Sequence, residues 1–111
     1  MVHPGVTDGM TTVLAMLELD GPTDRLLAAA ERLEGLLATP DGLVARIVAP
    51  AETGIVLWQL WESAQARARN AEDPAHGEAL RASGLLELVT GTRSRAFEGA
   101  TLEVVAPAHA G

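Results

Sequence analysis

The chain has 111 residues, 48% of them hydrophobic, and a formal net charge of −7. That length fits one domain with a modest core, and that charge makes nucleic acid and anionic membrane surfaces poor partners, because phosphate binding needs clustered positive charge. All eight cationic residues are Arg and there is no Cys, which excludes Schiff-base lysines, thiolate nucleophiles, disulfides and Cys-ligated metal centres.

The aromatic residues are Trp58, Trp61 and Phe97, and there is no Tyr. Aromatic side chains each bury about 150–250 Å². A core of Ala, Leu and Val therefore buries little per residue, and a second subunit is expected to complete it. Residues 1–10 read as a loose Gly-containing lead, without the basic-then-apolar order of a secretory signal. No apolar run approaches the ~20 residues that span a bilayer. A chain without Cys is expected in the cytoplasm.

Thr11–Leu19 predicts the first strand, with Val13, Ala15, Leu17 and Leu19 on one face and Leu14, Met16 and Glu18 on the other. Asp20-Gly21-Pro22-Thr23 is a turn, and Thr23 or Asp24 is positioned to cap the next helix. That helix runs to about Ala38, with Leu26, Ala30, Leu33 and Leu37 at helical spacing. Leu43–Ala49 and Ile55–Glu62 form a hairpin across Pro50–Gly54. In the second of these strands Ile55, Leu57, Gln59 and Trp61 face one way, and Val56, Trp58, Leu60 and Glu62 the other. Ser63 caps the following helix, which breaks at Asp73 because Pro74 has no N–H to continue the ladder. The restarted helix ends near Ser83-Gly84, and Leu85–Val89 reads as a further helical turn. Thr92–Glu98 is a strand, with Arg93, Arg95 and Phe97 on one face. Thr101–Ala106 reads as a final strand, and Pro107–Gly111 as a mobile tail.

The order β-α-β-β-α-β, with an extra C-terminal strand, is the α+β ferredoxin-like pattern, an antiparallel sheet with both helices on one face. Apolar residues on both sides of several strands predict that neither sheet face meets water. A second copy laid sheet to sheet closes residues 11–106 into a dimeric α+β barrel.

The strand end Leu57–Ser63, the helix Ala64–Glu72, the break at Asp73-Pro74 and the run Ala75–Gly84 resemble the antibiotic-biosynthesis-monooxygenase-like domains of the dimeric α/β-barrel superfamily. The resemblance implies a homodimer with a small-molecule pocket between sheet and helices. Members include cofactor-independent monooxygenases of aromatic polyketides, polyketide cyclases, heme-degrading enzymes and muconolactone-type isomerases. The polyketide oxygenases carry an Asn four residues before the Trp of Trp-Glu-Ser, where this chain has Leu57. The heme-degrading members have an Asn on the first strand, absent here. They also have a second Trp where Asn70 stands, and a His beyond the position of His76.

These faces supply the candidate site residues. Trp61 forms either a stacking wall for a flat ligand or a plug at the strand–helix corner. Trp58, opposite, is expected to pack toward the dimer interface or a second sheet. Gln59 shares a face with Leu57 and Trp61, and a buried amide there needs partners; it orients a ligand oxygen or bonds a partner chain. His76 is the one histidine inside the expected fold, either a base near neutral pH or part of an ordinary exposed turn. Arg93 and Arg95, joined by Arg46 from a neighbouring strand, bind an anionic or phenolic ligand or pair with carboxylates across the sheet. Ala64, Ala68, Ala71, Ala75 and Ala79 let the second helix pack closely or leave room for a ligand. His3, His76 and His109 are scattered, so no metal site is expected. The expected function is cofactor-independent oxygenation, cyclisation or isomerisation of a hydrophobic aromatic metabolite. The alternative is a non-catalytic binding or structural homodimer.

Overall fold

The computed structural model describes residues 11–105. The expected lead 1–10, the tail 107–111, and with them His3 and His109, lie outside the described residues. β1 (Val13–Asp20) buries Val13, Ala15 and Leu19 on one side, with Leu14, Met16 and Glu18 directed to the other. α1 (Thr23–Leu36) buries Leu26, Ala29 and Ala30 against that first side. Its N-cap is Pro22, with no side-chain cap, so neither Thr23 nor Asp24 plays the capping role expected. Thr23 is already helical, and its hydroxyl donates to the Ala51 carbonyl at 3.3 Å.

β2 (Leu43–Ala51) and β3 (Gly54–Trp61) form the hairpin, followed by α2 (Ala64–Glu72), α3 (Pro74–Ser83), the single turn α4 (Leu85–Leu88) and β4 (Gly91–Glu98). The sheet order is β2-β3-β1-β4 with every neighbour antiparallel. β1 and β3 pair from Val13↔Trp61 to Asp20↔Gly54. A methyl group at Gly54 would collide with the Leu19 carbonyl, so the strands meet this closely only with glycine there.

All helices cover one face. The core against it lies in two clusters. One gathers Leu19, Leu26, Ala29, Ala30, Ile55 and Leu85. The other gathers Val13, Ala15, Trp61 and Ala66. The opposite face carries Leu14, Met16, Ile47, Trp58 and Phe97, and Ile47 is 60% exposed in the protomer. At its edge Arg93 bonds both Glu18 and Asp20. The guanidinium holds the Asp20 carboxyl below its ordinary value.

The expected final strand does not form in the protomer. Residues 101–105 have no partner strand, and residue 106 lies outside the described residues. After Gly99 bonds back to Thr12, Ala100, Thr101 and Leu102 instead border the open sheet face beside Leu14 and Leu60. No described helix is long and apolar enough to cross a membrane.

Candidate functional site

Two caps set the phases of the helices over the sheet. Ser63 Oγ accepts from the Ala66 N–H at 3.1 Å, which turns Ala66 inward and brings Arg67 and Asn70 to the same side of α2. Asp73 Oδ1 accepts from the Ala75 N–H at 3.0 Å with Pro74 in the first turn. This begins α3 with His76 facing the sheet. The alanine stripe is mostly outside: Ala64, Ala68 and Ala75 are exposed, Ala71 is exposed at the cavity rim, and Ala79 alone of the five is buried. The inner face of α2 sets the buried Ala66 beside the polar Arg67 and Asn70, and a gap remains next to them.

The resulting gap is a cavity of about 330 Å³ between β1, β3 and the helices after β3. Leu57, Gln59 and Trp61 line it from β3, Arg67 and Asn70 from α2, and His76 and Leu80 from α3. A recess of about 50 Å³ adjoins it, shares Leu57, Gln59, Asn70 and His76, and extends toward Arg46 and Glu34. The cavity lies between the two core clusters. Its charged and amide side chains lie toward the Trp61 end, and Leu19, Leu85, Leu86, Val89 and Thr92 line the other. Six strand residues separate the level of Trp61 from that of Leu19, opposite Ile55, which at the usual strand rise is roughly 20 Å.

Trp61 is 1% exposed, packed among Val13, Ala15, Ala66 and Leu43. Its indole N–H donates to Gln59 Oε1 at 3.3 Å. This contact fixes which way the Gln59 amide faces: the oxygen serves the indole, and the nitrogen keeps both N–H donors. Half-buried His76 donates its backbone N–H to the Asp73 carbonyl at 3.0 Å. Its ring atom Nδ1 is buried with no hydrogen-bond partner among the described residues. A buried polar atom left so is uncommon and costly.

The chain matches no family model and no curated protein. Solved structures do share its fold. A candidate antibiotic biosynthesis monooxygenase from Chloroflexus aurantiacus aligns with a TM-score of 0.66 at 14% identity, over 86% of this chain and 99% of its own. A dimeric protein of unknown function and ferredoxin-like fold from Bacteroides fragilis aligns at 0.60 and 17% identity, over 78% and 95%. A variant of SnoaB, a cofactor-independent oxygenase from Streptomyces nogalater, aligns at 0.59 and 18% identity, over 88% and 97%. The chain has the ferredoxin-like fold that these structures share. At these identities the likeness is one of fold.

Within this fold, the residues singled out from sequence divide between the two sheet faces. Leu57, Gln59, Trp61 and His76 come together in the cavity. Arg95 does not join them. It pairs in register with Met16 on the open face, and its guanidinium lies over the Phe97 ring at 5.2 Å. Arg46 does not join Arg93 and Arg95 either, because it is registered with Gln59 on the helix side and faces Glu34 at 3.7 Å. Sequence reasoning passed over Arg67 and gave Asn70 no role. The cap at Ser63 was the available signal, since residues three, four and seven beyond a cap share the turn that packs inward. No cluster of three or more His, Asp or Glu among the described residues is placed to hold a metal.

Proposed function

We propose that this protein is a cytoplasmic, homodimeric small-molecule enzyme of secondary metabolism. It is a cofactor-independent monooxygenase, or a cyclase or isomerase, acting on a flat aromatic polyketide-like substrate. One observation carries the reading: His76 holds an unpartnered buried Nδ1 in a cavity it shares with Gln59 and Asn70. The cavity falls in the range of roughly 300–1,000 Å³ typical of small-molecule sites.

His76 Nδ1 accepts a proton from a phenol or an activated methylene of the substrate. The amide N–H groups of Gln59 and Asn70 hold the oxygen on which negative charge develops. Leucines around the ring exclude water and strengthen both contacts. In the oxygenase branch the carbanion passes its electrons to dioxygen, and a methylene and O₂ become a carbonyl and water. The substrate is oxidised, dioxygen is reduced, and one oxygen atom goes to each product. In the cyclase branch the carbanion attacks a carbonyl carbon in the same molecule, forming a C–C bond, and the proton on His76 returns to the alkoxide.

SnoaB, described as a cofactor-independent oxygenase, supports the first branch by analogy of fold. The homodimer is supported by the dimeric Bacteroides fragilis relative and by the open sheet face. There a second, apolar groove of about 350 Å³ runs past Leu14, Ile47, Trp58 and Leu60, a surface suited to burial rather than to water. A binding protein without turnover is the second reading, favoured by Leu57 in the position where polyketide oxygenases carry Asn.

The deciding experiment incubates the protein with a hydroxyanthrone and follows oxygen uptake and quinone absorbance. The enzyme reading expects turnover that falls at least about a hundredfold in His76→Ala, the usual contribution of a positioned base. Tight binding of the hydroxyanthrone with neither oxygen uptake nor rearranged product leaves the binding reading in its place.

A further inference from the structure

Arg67 stands apart from the other arginines. Arg46 and Arg93 face carboxylates, Arg32 donates twice to the Ser83 carbonyl, and Arg95 covers the Phe97 ring. Arg25, Arg69 and Arg81 are exposed. Arg67 is half-buried, lines the cavity, and has no ion pair or side-chain hydrogen bond among the described residues. No Asp or Glu lines that 330 Å³ cavity. A guanidinium beside an apolar cavity, with no counter-charge, gives up hydration without a partner in the protein.

Position adds a direction. Arg67 lies with Asn70 one helical turn apart on α2, at the end of the cavity that Trp61 and Gln59 form. The far end is lined by leucines, Val89 and Thr92, with no charged residue. The cavity is therefore polarised along the strand, with one fixed positive charge and amide donors at one end and, at the other, apolar side chains and a single threonine. Guanidinium presents paired N–H donors that match a carboxylate.

We propose that Arg67 is the anion-recognition residue of this pocket, and that its ligand is a planar apolar molecule carrying a carboxylate at the end that enters beside Trp61. The proposal rests on the pocket's role as a small-molecule site and adds the charge and orientation of the ligand. Arg67 is a binding residue here, not the base. The acid is held by its ring along the leucines, with the carboxylate on the guanidinium and a ring oxygen within reach of Gln59.

The test compares anthraquinone-2-carboxylic acid with its methyl ester by calorimetric titration into wild type, Arg67→Ala and Arg67→Lys at low salt. Wild type is expected to prefer the acid by about tenfold or more, as for a hydrogen bond to a charged group. Arg67→Ala is expected to bind acid and ester alike, with the ester affinity of wild type. Arg67→Lys is expected to keep part of the preference, because it keeps the charge and loses the fork. Equal affinity of wild type for acid and ester overturns the proposal and leaves the pocket reading standing. An equal loss of both ligands in Arg67→Ala, with an unchanged circular dichroism melt, also overturns it. Failure of wild type to bind either ligand overturns the proposal together with the pocket reading.

Discussion

Replacing His76 by leucine is expected to stabilise the protein while removing its activity. Leucine has about the volume of the imidazole and no polar atoms, so it meets Leu57, Leu80 and Leu33 without leaving Nδ1 buried and unpaired. A buried unsatisfied group costs about 1–3 kcal/mol. His76 is only half-buried, which puts the gain near the lower figure, about 1 kcal/mol. A domain of this size moves its melting temperature by about 4–8 °C per kcal/mol. Scanning calorimetry at one fixed protomer concentration reads the shift without the mass-action effect of dimerisation. His76→Gln serves as the control, since it keeps a polar atom at the site and should not melt higher than wild type. If His76→Leu melts at or below wild type, Nδ1 is not an uncompensated buried atom, and the argument for its readiness to accept a proton fails with it.

Ser63→Ala removes the acceptor for a buried Ala66 N–H and is expected to cost about 0.5–2 kcal/mol in denaturant unfolding. Gln59→Leu leaves the buried Trp61 indole N–H without its acceptor, so it should lower stability by roughly 1–3 kcal/mol and shift the tryptophan emission. Ile47→Asp on the open face should convert the proposed homodimer to monomer in sedimentation velocity while the secondary structure persists; an unchanged dimer would place the interface elsewhere. Asp20 titrates below its ordinary value of 3.8 through the hydrogen bond from Arg93. Its contribution to stability is therefore present above that value and declines as pH falls through the lower folded one. In Arg93→Ala the Asp20 carboxyl resonance should titrate at higher pH, and the mutant should lose less stability on acidification.

Much of the fold was legible because it rests on local rules. Strand alternation placed Ile55, Leu57, Gln59 and Trp61 on one face, and Ser63, Pro74 and Gly84 punctuated the helices where expected. The site was legible only in part. Gln59, Trp61 and His76 were drawn together by the strand face and the helix break, which are local features. Arg95 was misjoined because alternation tells which residues share a face without telling which face the helices cover. Arg46 was misplaced for a related reason: Leu43 and Ala45 flank a register irregularity, which changes the parity of the strand beyond it. The alanine stripe suggested an inner face by composition, while the cap geometry at Ser63 put Ala66 inside and left Ala64 and Ala68 exposed. The last strand failed because Thr101–Val105 has strand character but pairs with neither edge strand, β2 nor β4, of the protomer.

One residue joins the two helices that carry His76 and Asn70. Asp73 closes α2 and opens α3, with φ −72° and ψ 122°, an extended geometry that a following proline enforces. The spacing between the His76 ring and the Asn70 amide is thus governed largely by a single pair of backbone angles, outside the cavity lining. A change at that joint would regrade the width of the mouth while the strands and their hydrogen bonds stay as they are. A lineage carrying this fold can in this way adjust what it admits by altering a hinge residue, leaving every side chain that touches the ligand in place.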